Sequence, residues 1–388
     1  MYFPLIHNNI TKDDLDKIKK FLSKKKILLT QSKKVKEFEN KWSKWLGVKH
    51  SVFVNSGSSA NLISMAIVNY LYGKGEIIVP ALTWVSDIAS VIHNNLKPKF
   101  IDIDLETLSL SAENLEKKIN KKTKAIFITH AQGFNGLNNK IIQISKKYKI
   151  PIIEDVCESH GAKYKNKKLG SYGLISNFSF YYAHHMSTIE GGMISTNNRE
   201  IYELARMYRS HGMVREIDNQ TYKKKLVKKN KYLNPEFIFQ VPGFNLRNTE
   251  IGAIIGINQL KRLDNNIIKR NSNHHFFLKN LDKKKFFIDF KLQGSSNYAF
   301  NLILKNKDEN LMKSLMKNLK KNNIEFRKGS AGGGNQLRQP YLKQYIKNKE
   351  YLKYVNTEHV HFFGMYIGNY PDLSKRDILK ICKIINNS

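Results

Sequence analysis

The chain has 388 residues, 41% of them apolar, and that length predicts one large domain with a smaller satellite. No apolar run approaches the roughly 20 residues that cross a bilayer, no secretory signal is visible after Met1, and two cysteines, Cys157 and Cys382, exclude a disulfide framework and a four-cysteine metal or iron–sulfur site within one chain; the expectation is a cytoplasmic protein without membrane contact. The formal charge of +34 raises nucleic-acid binding, but lysines outnumber arginines 56 to 10 and are spread among asparagine and isoleucine, which is compositional bias and not a binding face, although positive potential suits an anionic small substrate.

In chain order, the first informative stretch is Asn55-Ser56-Gly57-Ser58-Ser59-Ala60, with helical apolar spacing over 58–72. Glycine permits close backbone approach and free N–H groups at a helix start suit a phosphate, with simple turn chemistry as the competing reading. A strand at 76–80 leads into Pro80-Ala81-Leu82-Thr83-Trp84, leaving Trp84 either in the core or stacked on a cofactor ring. Further strands are predicted at 99–104, 125–130, 150–155 and 176–181, with a helix at 111–120 opening on a capping-box pattern at Ser111 and Asn114. Strands alternating with helices predict a doubly wound, mostly parallel α/β sheet.

Glu154-Asp155 ends the 150–155 strand, and the carboxyl edge of an open parallel sheet is where ligands bind, so both carboxylates are expected at the crevice. Asp155 suits a protonated ring nitrogen or, equally, a helix cap, and Glu158 follows on the same turn. The Lys-rich stretch 218–235 shows little periodicity and reads as an exposed loop. From about residue 250 the pattern becomes helix 250–265, strand 299–304, helix 310–322 and a strand ending at Arg327. Two domains are expected, a large α/β domain over 1–250 and a smaller α+β domain over 251–388.

The most informative run is Ser179-Phe180-Tyr181-Tyr182-Ala183-His184-His185-Met186-Ser187-Thr188-Ile189-Glu190-Gly191-Gly192. Together with Ser56-Gly57-Ser58-Ser59-Ala60, Glu154-Asp155-Val156-Cys157-Glu158-Ser159-His160-Gly161 and Arg209-Ser210-His211-Gly212, it resembles the sugar-aminotransferase family of fold-type I pyridoxal-phosphate enzymes. The motifs stand in family order across nearly the whole chain. In that family a lysine separated from Ser-Phe-Tyr by two residues tethers the cofactor; here His184 occupies the position, and no lysine occurs anywhere in 169–222. The pattern His-His-x-x-Thr-x-Glu-Gly-Gly is similar to the family's histidine-for-lysine branch, the GDP-4-keto-6-deoxymannose 3-dehydratases.

The resemblance implies pyridoxal and pyridoxamine phosphate as cofactor, L-glutamate as amine donor, and a nucleotide-linked 4-keto-6-deoxy sugar, hexose or heptose, as substrate in deoxysugar and surface polysaccharide biosynthesis. It assigns His184 as base and acid, Asp155 to the ring nitrogen, Trp84 to stacking, Glu158 to the neighbourhood of the 3′-oxygen, and Gly57, Ser58, Ser179 and Asn245 to the phosphate. It also implies a homodimer with shared active sites, because Val241-Pro242-Gly243-Phe244-Asn245-Leu246-Arg247 resembles a segment that reaches the neighbour's cofactor. Arg215, Arg327 and Asn335 are added for the carboxylate of glutamate or the phosphates of the substrate. His185 should point away from His184 on an extended segment, His160 and His211 read as structural, and no metal or iron–sulfur cluster is expected. The competing readings are an aminotransferase using an unusual lysine and an inactive member acting as a binding protein.

Overall fold

The computed structural model describes residues 2–388. Helices α1 (Lys12–Leu22) and α2 (Lys33–Leu46) lead into β1 (His50–Val54), α3 (Gly57–Tyr72), β2 (Glu76–Pro80), α4 (Val85–His93), β3 (Lys97–Ile101), α5 (Ala112–Lys118) and β4 (Thr123–Thr129). Then come α6 (Asn139–Tyr148), β5 (Ile152–Asp155), β6 (Ile175–Ser179), β7 (Gly192–Thr196) and α7 (Arg199–Arg209). The seven strands form one sheet in the order β1-β7-β6-β5-β4-β2-β3. All pairings are parallel except those of β7, which runs antiparallel to both β1 and β6.

The strands are short Ile-, Val- and Phe-rich runs because both faces of the sheet are covered. Val52, Val54, Ile77, Val79, Phe127 and Ile153 face one core with residues of α3, α4 and α7. Their neighbours Phe53, Ile78, Ile126, Ile128 and Ile152 face the other, with residues of α2 and α6. Strand periodicity thus divides one continuous apolar run between two layers.

The remainder comprises α8 (Gln220–Lys229), α9 (Glu250–Lys279), β8 (Ala299–Ile303), α10 (Glu309–Lys321), β9 (Phe326–Lys328), α11 (Val355–Phe363), β10 (Gly364–Gly368) and α12 (Lys375–Asn386). Strands β8, β10 and β9 form a separate antiparallel sheet. Its core also takes in Leu82, Ile103 and Phe134, while Leu337, Leu342 and Tyr354 pack into the core of the large sheet.

Several expectations need correction. The Lys-rich stretch contains α8, capped by the Asn219 side chain and anchored by buried Leu226. The expected strand at 99–104 stops at Ile101. Ser111 makes no side-chain cap, and its own N–H, which a capping box would give to the residue-114 side chain, goes instead to the Asp102 carbonyl at 2.8 Å; capping boxes occur at Thr11 with Asp14 and at Ser374 with Asp377. Helix α9 continues well beyond residue 265, since Phe277 and Leu278 bury in the smaller core. Among the described residues, no helix is long and apolar enough to cross a membrane.

Candidate active site

A cavity of about 240 Å³ opens at the carboxyl ends of β4, β5 and β6, between the large sheet and the small one. Its lining includes Gly57, Ser58, Trp84, Asp155, Glu158, Ser179, His184 and Arg327, all expected from the sequence. It also includes Ser86, Thr129, Tyr181, Glu190, Tyr298 and Tyr366, which were not.

At one end stands the start of α3. Ser56 is its cap, accepting the Ser59 N–H at 3.0 Å. The N–H groups of Gly57 and Ser58 have no acceptor among the described residues, so two donors at the positive end of a 16-residue helix face the cavity. A side chain at residue 57 would meet the Ser179 Cβ at 2.6 Å, so only glycine lets the turn sit against β6.

Asp155 ends β5 and is 4% exposed. Its Oδ1 accepts the Cys157 N–H at 2.9 Å and its Oδ2 accepts an amide hydrogen of Asn61 at 2.9 Å. No helix follows, so the capping alternative falls away. Glu154 does not share the cavity: strand alternation turns it to the opposite face, where it accepts the N–H groups of Gly170, Tyr172 and Gly173 and lies 3.2 Å from His130 Nε2. The expectation that both carboxylates reach the crevice is therefore corrected to one. Glu158 accepts the Gln132 N–H at 2.7 Å. Burial, opposed by that bond and reinforced by the Asp155 charge, raises its carboxyl to about 7.

His184 sits in a turn just past β6, its N–H bonded to the Tyr181 carbonyl at 3.0 Å and its own carbonyl held by the Asn9 amide at 3.1 Å. The ring's Nδ1 is buried and has no partner among the described residues. Burial lowers its pKa to about 4, against the pull of Asp155 and with the help of Arg270, so the imidazole is neutral at pH 7. His185 is buried, binds the Ser296 carbonyl through Nε2 at 3.0 Å, and lies outside the cavity lining. His160, buried among Trp42, Phe178 and Phe180, lies 6.1 Å from the His184 ring. His211 occupies a left-handed turn away from the cavity.

Three expected residues are not brought to this lining. Asn245 is exposed, its Oδ1 accepting from Arg247 Nε at 3.0 Å. Arg215 lies 3.8 Å from Glu236. Asn335 is spent internally, donating to Glu358 at 2.7 Å and capping Leu337. Arg327 is the cavity's guanidinium and lies 3.4 Å from the Tyr366 hydroxyl. Nothing local in the sequence marks Tyr298, which arrives from a loop 114 positions beyond His184. Among the described residues, no lysine lines the cavity and no cluster of His, Cys, Asp and Glu could hold a metal ion.

The chain is 33% identical over 358 residues to a GDP-4-keto-6-deoxy-D-mannose 3-dehydratase of Escherichia coli, covering 88% of this chain and 89% of that one. It is 32% identical to the enzyme of the same name from Yersinia pseudotuberculosis, with 96% of each covered. A solved GDP-4-keto-6-deoxymannose-3-dehydratase with a trapped PLP–glutamate geminal diamine superposes with a TM-score of 0.88 at 30% identity, over 99% of this chain and 100% of the other. With residues 8–386 matched by the family pattern, the chain belongs to the DegT/DnrJ/EryC1/StrS aminotransferase family.

Proposed function

We propose that this protein is a pyridoxal-phosphate- and glutamate-dependent 3-dehydratase, which removes the C3 hydroxyl of a GDP-linked 4-keto-6-deoxy sugar in the cytoplasm during deoxysugar and surface polysaccharide biosynthesis. One observation carries the reading: the cavity wall holds His184 and, among the described residues, no lysine. The donor set fits the cofactor. Two helix-start N–H groups and the hydroxyls of Ser58 and Ser179 suit its phosphate, buried Asp155 suits its ring nitrogen, and Trp84, 47% exposed at the cavity wall, offers a flat face for its ring.

When bound and aminated by glutamate, pyridoxal phosphate supplies a conjugated electron sink next to the C3–oxygen bond of a 4-keto sugar. Asp155, held by two hydrogen bonds, would keep a proton on the ring nitrogen. His184, neutral and without a partner at Nδ1, would be the group that accepts a proton from the bound cofactor's C4′ carbon and, once charged in a buried site and therefore strongly acidic, gives it to the departing C3 oxygen. Glu158, whose carboxyl burial raises to about 7, would lie near the cofactor's 3′-oxygen and could donate to it when protonated. Arg327 pairs with the carboxylate of glutamate. Tyr298, Tyr366 and Trp84 narrow the cavity and limit water.

The test is incubation with glutamate and a panel of nucleotide-linked 4-keto sugars, following ammonia release and product mass. Loss of water from the sugar without gain of nitrogen supports the dehydratase. Gain of nitrogen, or a borohydride-stable adduct on a lysine of this chain, establishes the aminotransferase instead, and no glutamate-dependent product at all establishes the binding protein.

A further inference from the structure

A further carboxyl group lies buried close to the cavity with no part in the chemistry above. Asp87, in the first turn of α4, is fully buried. Its Oδ1 accepts one amide hydrogen of Asn61 at 2.8 Å, and the same nitrogen gives its other hydrogen to Asp155 Oδ2 at 2.9 Å. One asparagine therefore bridges two carboxyl groups.

The other oxygen of Asp87 settles how many protons are present. Asp87 Oδ2 lies 2.6 Å from Thr129 Oγ1 and in hydrogen-bond contact with Thr83 Oγ1, while the two hydroxyls lie 2.7 Å from each other. Three oxygens thus make three mutual contacts. Two threonine hydroxyls supply two hydrogens, and at these separations a contact without a hydrogen is repulsive. A hydrogen on Asp87 closes the ring, with each oxygen donating once and accepting once. It also leaves Asp87 Oδ1 as the carbonyl oxygen that Asn61 requires.

We propose that Asp87 is a positioning residue working as an un-ionised carboxylic acid, which leaves Asp155 as the only negative charge of the pair and locks the Trp84 turn to it. The ring joins four elements that meet the cavity: Thr83 beside Trp84, Thr129 at the end of β4, Asn61 on α3, and through it Asp155 at the end of β5. The Asp87 N–H adds a bond to the Trp84 carbonyl at 3.1 Å. The titratable groups facing Asp87 are Asp155, Cys157 and Tyr341, none of which supplies a positive charge. Burial, and then the Asp155 charge, push the Asp87 carboxyl well above its ordinary range in agreement. Two acids sharing one buried site divide in this way, one protonated and one ionised.

The positioning role rests on Asp155 serving the cofactor; the protonation does not, and it can be tested without turnover. Urea unfolding of the full chain and of Asp87→Asn is compared from pH 4 to 7. A group protonated in the fold binds a proton that the unfolded chain releases above pH 4. The folding constant of the parent, relative to the variant, should therefore fall about tenfold per pH unit until the folded value is reached. A ratio independent of pH, or rising with it, overturns the proposal. Should Asp87→Asn not fold, the parent labelled with 13C at aspartate side chains is read by infrared spectroscopy at pH 7, where a protonated aspartic acid band supports the assignment and its absence refutes it. For the positioning role, Asp87→Ala should weaken retention of pyridoxal phosphate about tenfold, the size of one lost hydrogen bond. Asp87→Asn should recover most of that loss; equal retention in all three chains refutes the role.

Discussion

An amine at residue 184 could tether an aldehyde; an imidazole can only move protons, and its pKa decides when. Because burial lowers His184 to about 4, it is a free base across the neutral range. The acid limb of kcat/KM should then fall near pH 4, with no inflection near 6.5, the ordinary histidine value. His184→Asn should keep the fold and the cofactor and lose turnover by roughly 10²–10⁴-fold, the usual worth of a positioned base; near-parental turnover would remove His184 from the mechanism. Glu158 sets the other limb. Held near 7, it is protonated below and charged above, so activity should decline as pH rises through 7, and Glu158→Gln should abolish that limb. The same shift predicts a stability difference. Relative to Glu158→Gln, the parent should lose ~3 kcal/mol as pH rises from the unfolded value of 4.5 to about 7, measured by urea unfolding. These residues were legible because each sits inside a local motif. Asp87, Asn61 and Tyr298 were not, because their significance lies in contacts made across distant parts of the chain: Asn61 meets Asp155 94 positions away.

Elements were legible where an apolar run was bounded by turn residues, as at β2, β4, β5 and β6. Strand β1 is illegible as five residues without clear alternation, and β7 because Gly191-Gly192 reads as a turn, although Gly192 already pairs with Val54 and Ser179. Helix α8 was hidden by its lysines, which are good helix formers but leave only a short apolar stripe. Helix α9 shows why its length was underestimated: residues 270–275 read Arg-Asn-Ser-Asn-His-His, mostly poor helix formers, yet Arg270, Asn273 and His274 are buried there, so tertiary packing overrides propensity. Its other end makes a sharper prediction. Gly256 lies so close to α2 that an added Cβ would stand 2.5 Å from Phe38 Cζ and 2.8 Å from two more atoms of that buried ring. Alanine normally gains about 1 kcal/mol over glycine in a helix, whereas overpacking a closed core loses about 1–3 kcal/mol. Gly256→Ala should therefore destabilise, read as a lower urea midpoint, and an unchanged or higher midpoint would show that α2 and α9 part readily.

At the scale of the whole molecule, exposed aromatic residues suggest where a second copy belongs. Tyr181 and Tyr182 flank the cavity turn, and Tyr232, Phe237 and Phe239 lie 78%, 56% and 55% exposed on the segment before Asn245. Asn245 itself is exposed, oriented by Arg247, and absent from the cavity of its own chain. In the homodimer that the family resemblance implies, Asn245 would serve the partner's site, which a mixing experiment distinguishes from service within one chain. On that reading Asn245→Asp would place a carboxylate against the cofactor phosphate and should abolish cofactor retention, whereas His184→Asn would leave the phosphate contacts intact and remove the base. Each variant alone is expected to be inactive. When the two chains exchange, about half the dimers are mixed. A mixed dimer holds one site with both substitutions and one site with neither, built from His184 of one chain and Asn245 of the other. Activity should therefore return to about a quarter of the parental level per site. If both residues act within a single chain, every site in the mixture carries one substitution, and no activity returns at any mixing ratio.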